Sequence, residues 1–299
     1  MTRTAQTRAP IPTFPRKRGK ELLERFDILV IGASTVGAAA ALGLARLGHE
    51  VALIDRKLPR MLADGDPLDA RVIALSPGSR RLLEALDAWQ HVRESRVAAY
   101  HDMQVMAGRG TVEFSDTEHG LAALGWIVEL AEMDRALWQE IERQRRITRF
   151  VPAEIDLIET TPDEIRVLLA DGQQLTGALL VGADGANSRV RRAAGIESHD
   201  FHYNQRALVT HLETEKLNPG IAWQRFTALG PLALLPLPEG RSSLVWSVHA
   251  DSAERLMDED DAGFIAALNE HAEGSPFGPV EKIGTRHALP LVRRQSDRL

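Results

Sequence analysis

The chain has 299 residues, 44% of them apolar and 26% charged, the composition expected of a soluble globular protein with room for one large or two medium domains. It has no cysteine, which excludes disulfides, thiolate metal sites, cysteine nucleophiles and a cysteinyl link to a cofactor. The formal charge of −6 is unevenly placed: Arg3, Arg8, Arg16, Lys17, Arg18 and Lys20 fall in an opening segment without any acid. The body is therefore more acidic than the total shows, a poor match to nucleic acid.

Residues 1–25 combine these cations with Pro10, Pro12 and Pro15 and hold no apolar run of signal-peptide length, so a disordered basic tail is expected. A targeting peptide or a contact with an anionic membrane is the sharper alternative. No run approaches the ~20 apolar residues that cross a bilayer. The expected setting is cytoplasmic, with peripheral membrane contact as the variant.

The stretch at 26–56 organises the rest of the chain. Residues 27–31 are a short apolar, β-branched run that reads as a buried parallel strand. The small and helix-forming residues of 36–47 predict a helix closed by Gly48, and Val51–Ile54 predicts a second strand ending on Asp55. The first turn of this β-α-β unit carries G-x-S-x-x-G at Gly32, Ser34 and Gly37, a dinucleotide fingerprint. In it the glycines allow the tight turn and close helix packing, and the helix N-terminus receives the pyrophosphate. Asp55 stands near the separation at which an acid grips the adenosine ribose, with Thr35 and Arg56 as flanking contacts. Ser34 departs from the pattern, because its CH₂OH stands where the fingerprint has no side chain. It either donates to phosphate or crowds it.

Residues 57–68 read as a loop. Arg71 comes next, a surface charge or a contact to the dinucleotide, and then Ser76 and Pro77 open a helix with Leu82, Leu83 and Leu86 on its apolar face. Residues 100–130 are strand-rich, and a helix is predicted over 133–145. Strands at 154–158 and Ile165–Leu169 precede a turn at Asp171-Gly172. The strand at 179–181 runs into Gly182, Asp184 and Gly185, and a helix opens near Asn187 or Ser188. Asp184 at a strand end can accept from a polyol, and Gly185 permits close backbone approach. Two strand-glycine-helix junctions suit a two-part cofactor, FAD rather than NAD. Strands occupy 202–249, and 251–271 is helical and acid-rich. His199 and His202 have i, i+3 spacing without a third ligand nearby, so no metal site is expected. Neither Ser76 nor Ser188 has a nucleophile-elbow context, which leaves a hydrolase unsupported.

The fingerprint, the D-x-R-V-I-A-L-S run at 69–76, GADGANSRVR at 182–191, and AWQRF, GPLALLPLP and SLVWS within 222–247 together resemble the ubiquinone-biosynthesis hydroxylases. These are FAD-dependent aromatic-ring monooxygenases of the p-hydroxybenzoate hydroxylase fold, and the resemblance covers about 26–296. It implies an α/β chain in which a Rossmann-like FAD domain, 26–95 with 130–195, interleaves with a β-sheet substrate domain, 96–129 with 196–299. By position, Gly32, Ser34 and Gly37 would line the ADP part, Asp55 the ribose, Arg71 the flavin or its phosphates, and Asp184 with Gly185 the pyrophosphate and ribityl chain. NAD(P)H would reduce the flavin, and oxygen would then be delivered to an electron-rich ring of a polyprenylated quinone precursor. Such chemistry requires the ring to be held in place and water kept out. A peripheral membrane location or a quinone-biosynthesis complex is the implied setting.

Besides Ser34, the sequence departs from the family in two places. Leu130 and Asp134 stand where the family has asparagine and a glutamine or arginine, and an acid near a pyrophosphate would repel it. After ALPLVRRQSDRL the family continues into a G-D-A-A-H motif that is not in these 299 residues, so the fold is expected to lack its C-terminal part and to hold flavin weakly. Two other readings remain: a non-catalytic paralogue that binds partners in quinone biosynthesis, and a simple NAD-dependent dehydrogenase, which leaves Asp184 and Gly185 without a role.

Overall fold

The computed structural model describes residues 23–298. Most of the expected basic tail lies outside them. The described chain forms two compact units, each built from two separated stretches: one ends at Leu58 and resumes over Gln144–Ile196, the other takes Pro59–Arg143 and everything from Glu197.

In the first unit four strands form a parallel sheet in the order Leu179–Gly182, Ile28–Ile31, Val51–Ile54, Ile147–Phe150. Strands Ile28–Ile31 and Val51–Ile54 are buried at every position, which is why they read as continuous apolar runs rather than as alternating ones. Helix Thr35–Arg46 packs on this sheet through Gly37, Ala38, Ala41, Leu42 and Ala45. These residues are small enough for helix and strands to approach closely, and Gly48, at φ +99°, closes the helix as expected.

A second sheet runs Leu23–Arg25, Gln174–Gly177, Ile165–Leu169, Ile155–Thr160. Leu29, Ile31, Ala52 and Ile54 of the parallel sheet share one apolar cluster with Ile155, Val167, Leu169 and Leu175 of this one. Gly172 takes φ +91° in the expected turn at Asp171-Gly172. Leu23–Arg25 falls inside the stretch expected to be a tail but pairs in parallel with Gln174–Gly177. Three residues carry little periodicity, and only the waiting sheet edge makes them a strand.

The second unit is dominated by an eight-stranded sheet. Its main path runs Val280–Ile283, Ser198–Thr214, Ser242–His249, Gly230–Pro236, Ile221–Thr227, Asp102–Ala107, Gly110–Ser115, and His287–Ser296 also pairs with Ser198–Thr214. On one face Leu208, Leu212, Trp223, Leu232, Leu234, Leu244 and Trp246 meet Phe264 and Leu268 of helix Asp261–His271 and Leu256 of helix Ala250–Asp258. The acid-rich segment at 251–271 is thus two helices, broken at Glu259 in extended backbone and restarted by Asp260, whose side chain accepts from the Gly263 N–H at 2.8 Å.

A three-stranded sheet, Val72–Leu75, Gly125–Glu129, Val97–Tyr100, leads into helix Leu130–Arg143. That helix begins three residues before the predicted start. The strand feeds it without a loop, so no capping residue marks its first turn in the sequence.

Candidate functional site

In the first unit the neighbouring parallel strands Ile28–Ile31 and Leu179–Gly182 pair in register, Ile31 opposite Gly182, so the turns after both leave from the same edge of the sheet. A cleft of about 450 Å³ opens there, lined by Gly32, Ser34, Asp55, Arg56, Asp184, Gly185, Asn187 and Arg189, among others. Two stretches some 150 residues apart in the chain thus meet at one place.

Gly32 makes the bend. It holds φ +107°, and a Cβ on it would lie 2.2 Å from the Ala183 carbonyl oxygen and 2.8 Å from the Asp184 nitrogen. A Cβ on Gly37 would lie 1.8 Å from the Gly32 carbonyl oxygen, so the first turn of the helix rests directly on the bend. Both glycines are therefore demanded by close packing. Gly185 differs: at φ +77° it needs its backbone freedom, but a Cβ there would meet nothing within 4 Å.

Ser34 is exposed at the N-cap of helix Thr35–Arg46, and its side chain lines the cleft rather than capping the first turn. Asp55 does more than end its strand. Its carboxylate accepts from the Ala33 N–H at 2.8 Å and from the Lys57 N–H at 3.2 Å, tying the end of the second strand to the glycine bend. Asp184 accepts from the Arg189 N–H at 2.6 Å and the Val190 N–H at 3.4 Å through Oδ2, while its other oxygen, Oδ1, is buried without a hydrogen-bond partner.

These residues fit a dinucleotide. The bend has no room for side chains, the helix N-terminus favours an anion, and a buried carboxylate oxygen lacks a donor that a polyol hydroxyl would supply. Sequence reasoning passed over Lys57, Asn187 and Arg189. The last two were visible within GADGANSRVR, whereas Ala153 to Ile155, which close one side of the cleft, come from a sheet edge that no local motif announces.

Arg71 and Asp134 belong to the second unit. Arg71 is exposed in a cleft of about 720 Å³, together with Arg60, Asp69, His211, Glu213, Arg241, Lys282 and His287 above apolar side chains that include Leu68 and Leu289. Several charges there are matched: Arg60 with Asp69 at 3.1 Å, Lys282 with Glu213 at 2.6 Å, and Arg241 with Glu239 at 2.9 Å. Burial pushes the His211 imidazole below its ordinary range, the Arg241 charge adds to this, and Asp69 opposes it.

Asp134 is 5% exposed on helix Leu130–Arg143. On the same helix the fully buried Glu132 is held by Arg93 at 2.6 Å and Arg135 at 2.6 Å. Buried Glu129, just before the helix, pairs with Arg96 at 3.2 Å and also accepts from the Asp69 N–H. Among the described residues no cluster of three His, Asp or Glu side chains is arranged to hold a metal ion.

The family model described as an FAD binding domain matches residues 25–297. The chain is 34% identical over 272 residues to 3-demethoxyubiquinol 3-hydroxylase of Escherichia coli (strain K12), a match that covers 90% of this chain and 69% of that protein. It is 32% identical to the mitochondrial ubiquinone biosynthesis monooxygenase of Homo sapiens, over 97% of this chain and 66% of that one. It thus spans about two thirds of the length of these relatives. Among solved structures, PqsL of Pseudomonas aeruginosa superposes with a TM-score of 0.71 at 21% identity, covering 90% of this chain and 74% of that chain. p-Nitrophenol 4-monooxygenase of Pseudomonas putida does so with 0.68 at 15%, covering 92% and 70%. These establish the fold. With the family model matching nearly the whole described chain and a relative 34% identical over most of its length, the chain belongs to the FAD-binding-domain family, in its ubiquinone-biosynthesis hydroxylase branch.

Proposed function

We propose that the chain is the flavin- and substrate-binding part of a monooxygenase that hydroxylates an aromatic ring of a polyprenylated ubiquinone precursor, using NAD(P)H and O₂. The observation that carries the reading is the cleft where Gly32 packs on Ala183 and Asp184, in a chain 34% identical to a protein named for hydroxylating demethoxyubiquinol.

When bound, FAD supplies the centre that accepts a hydride from NAD(P)H and passes one oxygen atom to the ring. In this reading the amides after Gly32 hold the pyrophosphate, with Thr35 and the Ser34 hydroxyl beside it. Asp55 takes the ribose with the acceptor sites that the Ala33 and Lys57 amides leave free, and Arg56 lies against the adenosine end. Asp184 Oδ1 accepts from the ribityl chain, with Gly185 beside it. Arg71 faces the flavin, and Asp134, buried on its helix, shapes the cofactor's surroundings without presenting its charge to a phosphate. The functional partition is 26–95 and 130–195 for FAD, and 96–129 and 196–299 for the substrate.

The second unit's cleft, with an apolar floor and a charged rim, suits a ring bearing polar substituents and an apolar tail. Such a substrate lives in membranes, so the protein works at a membrane surface or within a quinone-biosynthesis assembly. No described helix is long and apolar enough to cross a membrane.

Two measurements test this: the visible flavin spectrum of purified protein after incubation with FAD, and NADPH oxidation with and without a prenylated phenol. Weak flavin binding that saturates only with excess FAD, with substrate-stimulated oxidation, is expected; tight stoichiometric FAD would refute the weakened affinity. Protein that takes up no flavin at millimolar FAD refutes the reading.

A further inference from the structure

Two buried polar atoms without hydrogen-bond partners line the second unit's cleft: Nε2 of His211 and Nε of Arg241. Strand register explains why they share it. His211 lies opposite Ser243 and Leu212 opposite Ser242, so Arg241, just before that strand, falls on the same face as Ser243 and hence as His211. On the other side His287 pairs with Val209, and Lys282 with Glu213, again on the His211 face. Leu208, Thr210 and Leu212 take the opposite face, into the core. The sheet thus exposes a polar row over an apolar floor, and most of its charges are already matched. His211 Nε2 and Arg241 Nε are left over at the cleft, and the Ser243 hydroxyl on the same face is also without a partner.

Leaving a buried donor or acceptor unmatched costs about 1–3 kcal/mol, so two at one spot point to a ligand atom that satisfies both. Arg241 Nε–H can only donate. A neutral imidazole offers one lone pair and one N–H. A hydroxyl meets both needs at once, since its oxygen accepts while its hydrogen donates.

Resting on the function proposed above, we propose that His211 and Arg241 hold a ring hydroxyl of the aromatic substrate between them, and that His211 takes its proton. Arg241 Nε–H donates to the hydroxyl oxygen, and the hydroxyl donates to His211 Nε2. On transfer the O–H bond breaks and an Nε2–H bond forms, with the electron pair remaining on oxygen and raising electron density at the ring carbons ortho and para to it. The proton returns from Nε2 to oxygen when the product leaves. Burial and the Arg241 charge keep the free imidazole neutral, with its Nε2 lone pair open to the hydroxyl. Asp69 and His287 are the other titratable groups facing the ring, with Arg71 and the Lys282–Glu213 pair elsewhere in the cleft.

4-Nitrophenol tests this without turnover, because its ionised form is coloured. Difference spectra of the FAD-incubated protein with this probe are recorded across the pH range for the wild type, His211→Gln and Arg241→Gln. The wild type is expected to ionise the bound probe about one pH unit below its value in solution. His211→Gln keeps a hydrogen-bond acceptor but cannot take a proton, so it is expected to bind within about threefold of wild type and to lose the shift. Arg241→Gln is expected to weaken binding about tenfold. Benzoate, which has no hydroxyl, is expected to bind the wild type and His211→Gln alike. Equal ionisation in the wild type and His211→Gln overturns the proposal, as does a wild type that does not bind the probe. Flavin uptake, read separately, reports on the function proposed above and is unaffected by either result.

Discussion

Gly32 and Asp55 tie the glycine bend to its neighbours, one by close backbone packing and the other by a hydrogen bond to the Ala33 amide. A Cβ at position 32 has nowhere to go, since it meets backbone on the neighbouring turn, and backbone cannot swing aside as a side chain does. Gly32→Ala is expected to destabilise the protein by about 1–3 kcal/mol and to weaken FAD binding more than tenfold, as read by urea unfolding and flavin titration. Unchanged flavin affinity in a folded variant would mean the bend does not touch the cofactor. Asp55 fixes the Ala33 amide, and in the proposed function it also meets a ribose. Asp55→Asn retains an acceptor for the amide, whereas Asp55→Ala abandons it. The alanine variant is expected to lose about 1 kcal/mol more stability than the asparagine one, with both binding FAD more weakly. Equal stability of the two would show that the amide contact contributes nothing.

At the scale of one element, helix Leu130–Arg143 carries the least legible feature of the chain. Its acids look like a solvated face in the sequence, yet Glu132 is fully buried and Asp134 nearly so. The reason lies some forty residues upstream: Arg93 and the short-range Arg135 supply fixed donors that make burial of Glu132 tolerable. Burial pushes the Glu132 carboxyl up, but the hydrogen bonds from Arg135 and Arg93 outweigh it and leave it below the usual carboxylate range.

The unfolded chain therefore protonates Glu132 at higher pH than the folded chain does. Its contribution is complete above the ordinary glutamate value and is lost as the pH falls through the folded-state value. Glu132→Gln is expected to cost about 3 kcal/mol at neutral pH, and the gap to wild type should narrow on acidification in urea titrations. Glu129, which burial pushes upward against the pull of the Asp69 amide and Arg96, has the opposite pH dependence. Part of that rise comes from the Glu132 charge itself, so removing it lets Glu129 ionise more readily. A gap independent of pH would show that Glu132 is not ionised in the folded protein.

For the molecule as a whole, a ligand that binds only the folded state adds stability by mass action, about 2.7 kcal/mol at a hundredfold excess over its dissociation constant. FAD is therefore expected to raise the melting temperature in a concentration-dependent way. Hydrogen-exchange protection should concentrate at residues 32–37 and 183–189. Stabilisation without protection there would move the cofactor elsewhere, and Gly32→Ala should abolish both effects.

The sequence by itself determined the β-α-β unit, its glycine bend, the acid ending the second strand and the second strand-glycine junction. Each is set by contacts between near neighbours: apolar runs that bury a strand, small residues that let a helix approach, and a glycine where φ must be positive. The family resemblance came from these stretches together with 69–76 and 222–247, which point to its ubiquinone branch. Only the tertiary structure decided the rest. It paired Ile31 with Gly182 so that two distant turns share one cleft, made a strand of Leu23–Arg25 by offering a sheet edge, and matched buried acids to arginines far along the chain. It also set His211 and Arg241 on one face of a sheet. Those outcomes depend on strand register and on charge compensation between segments remote in sequence, and neither leaves a periodic trace in the local order of residues.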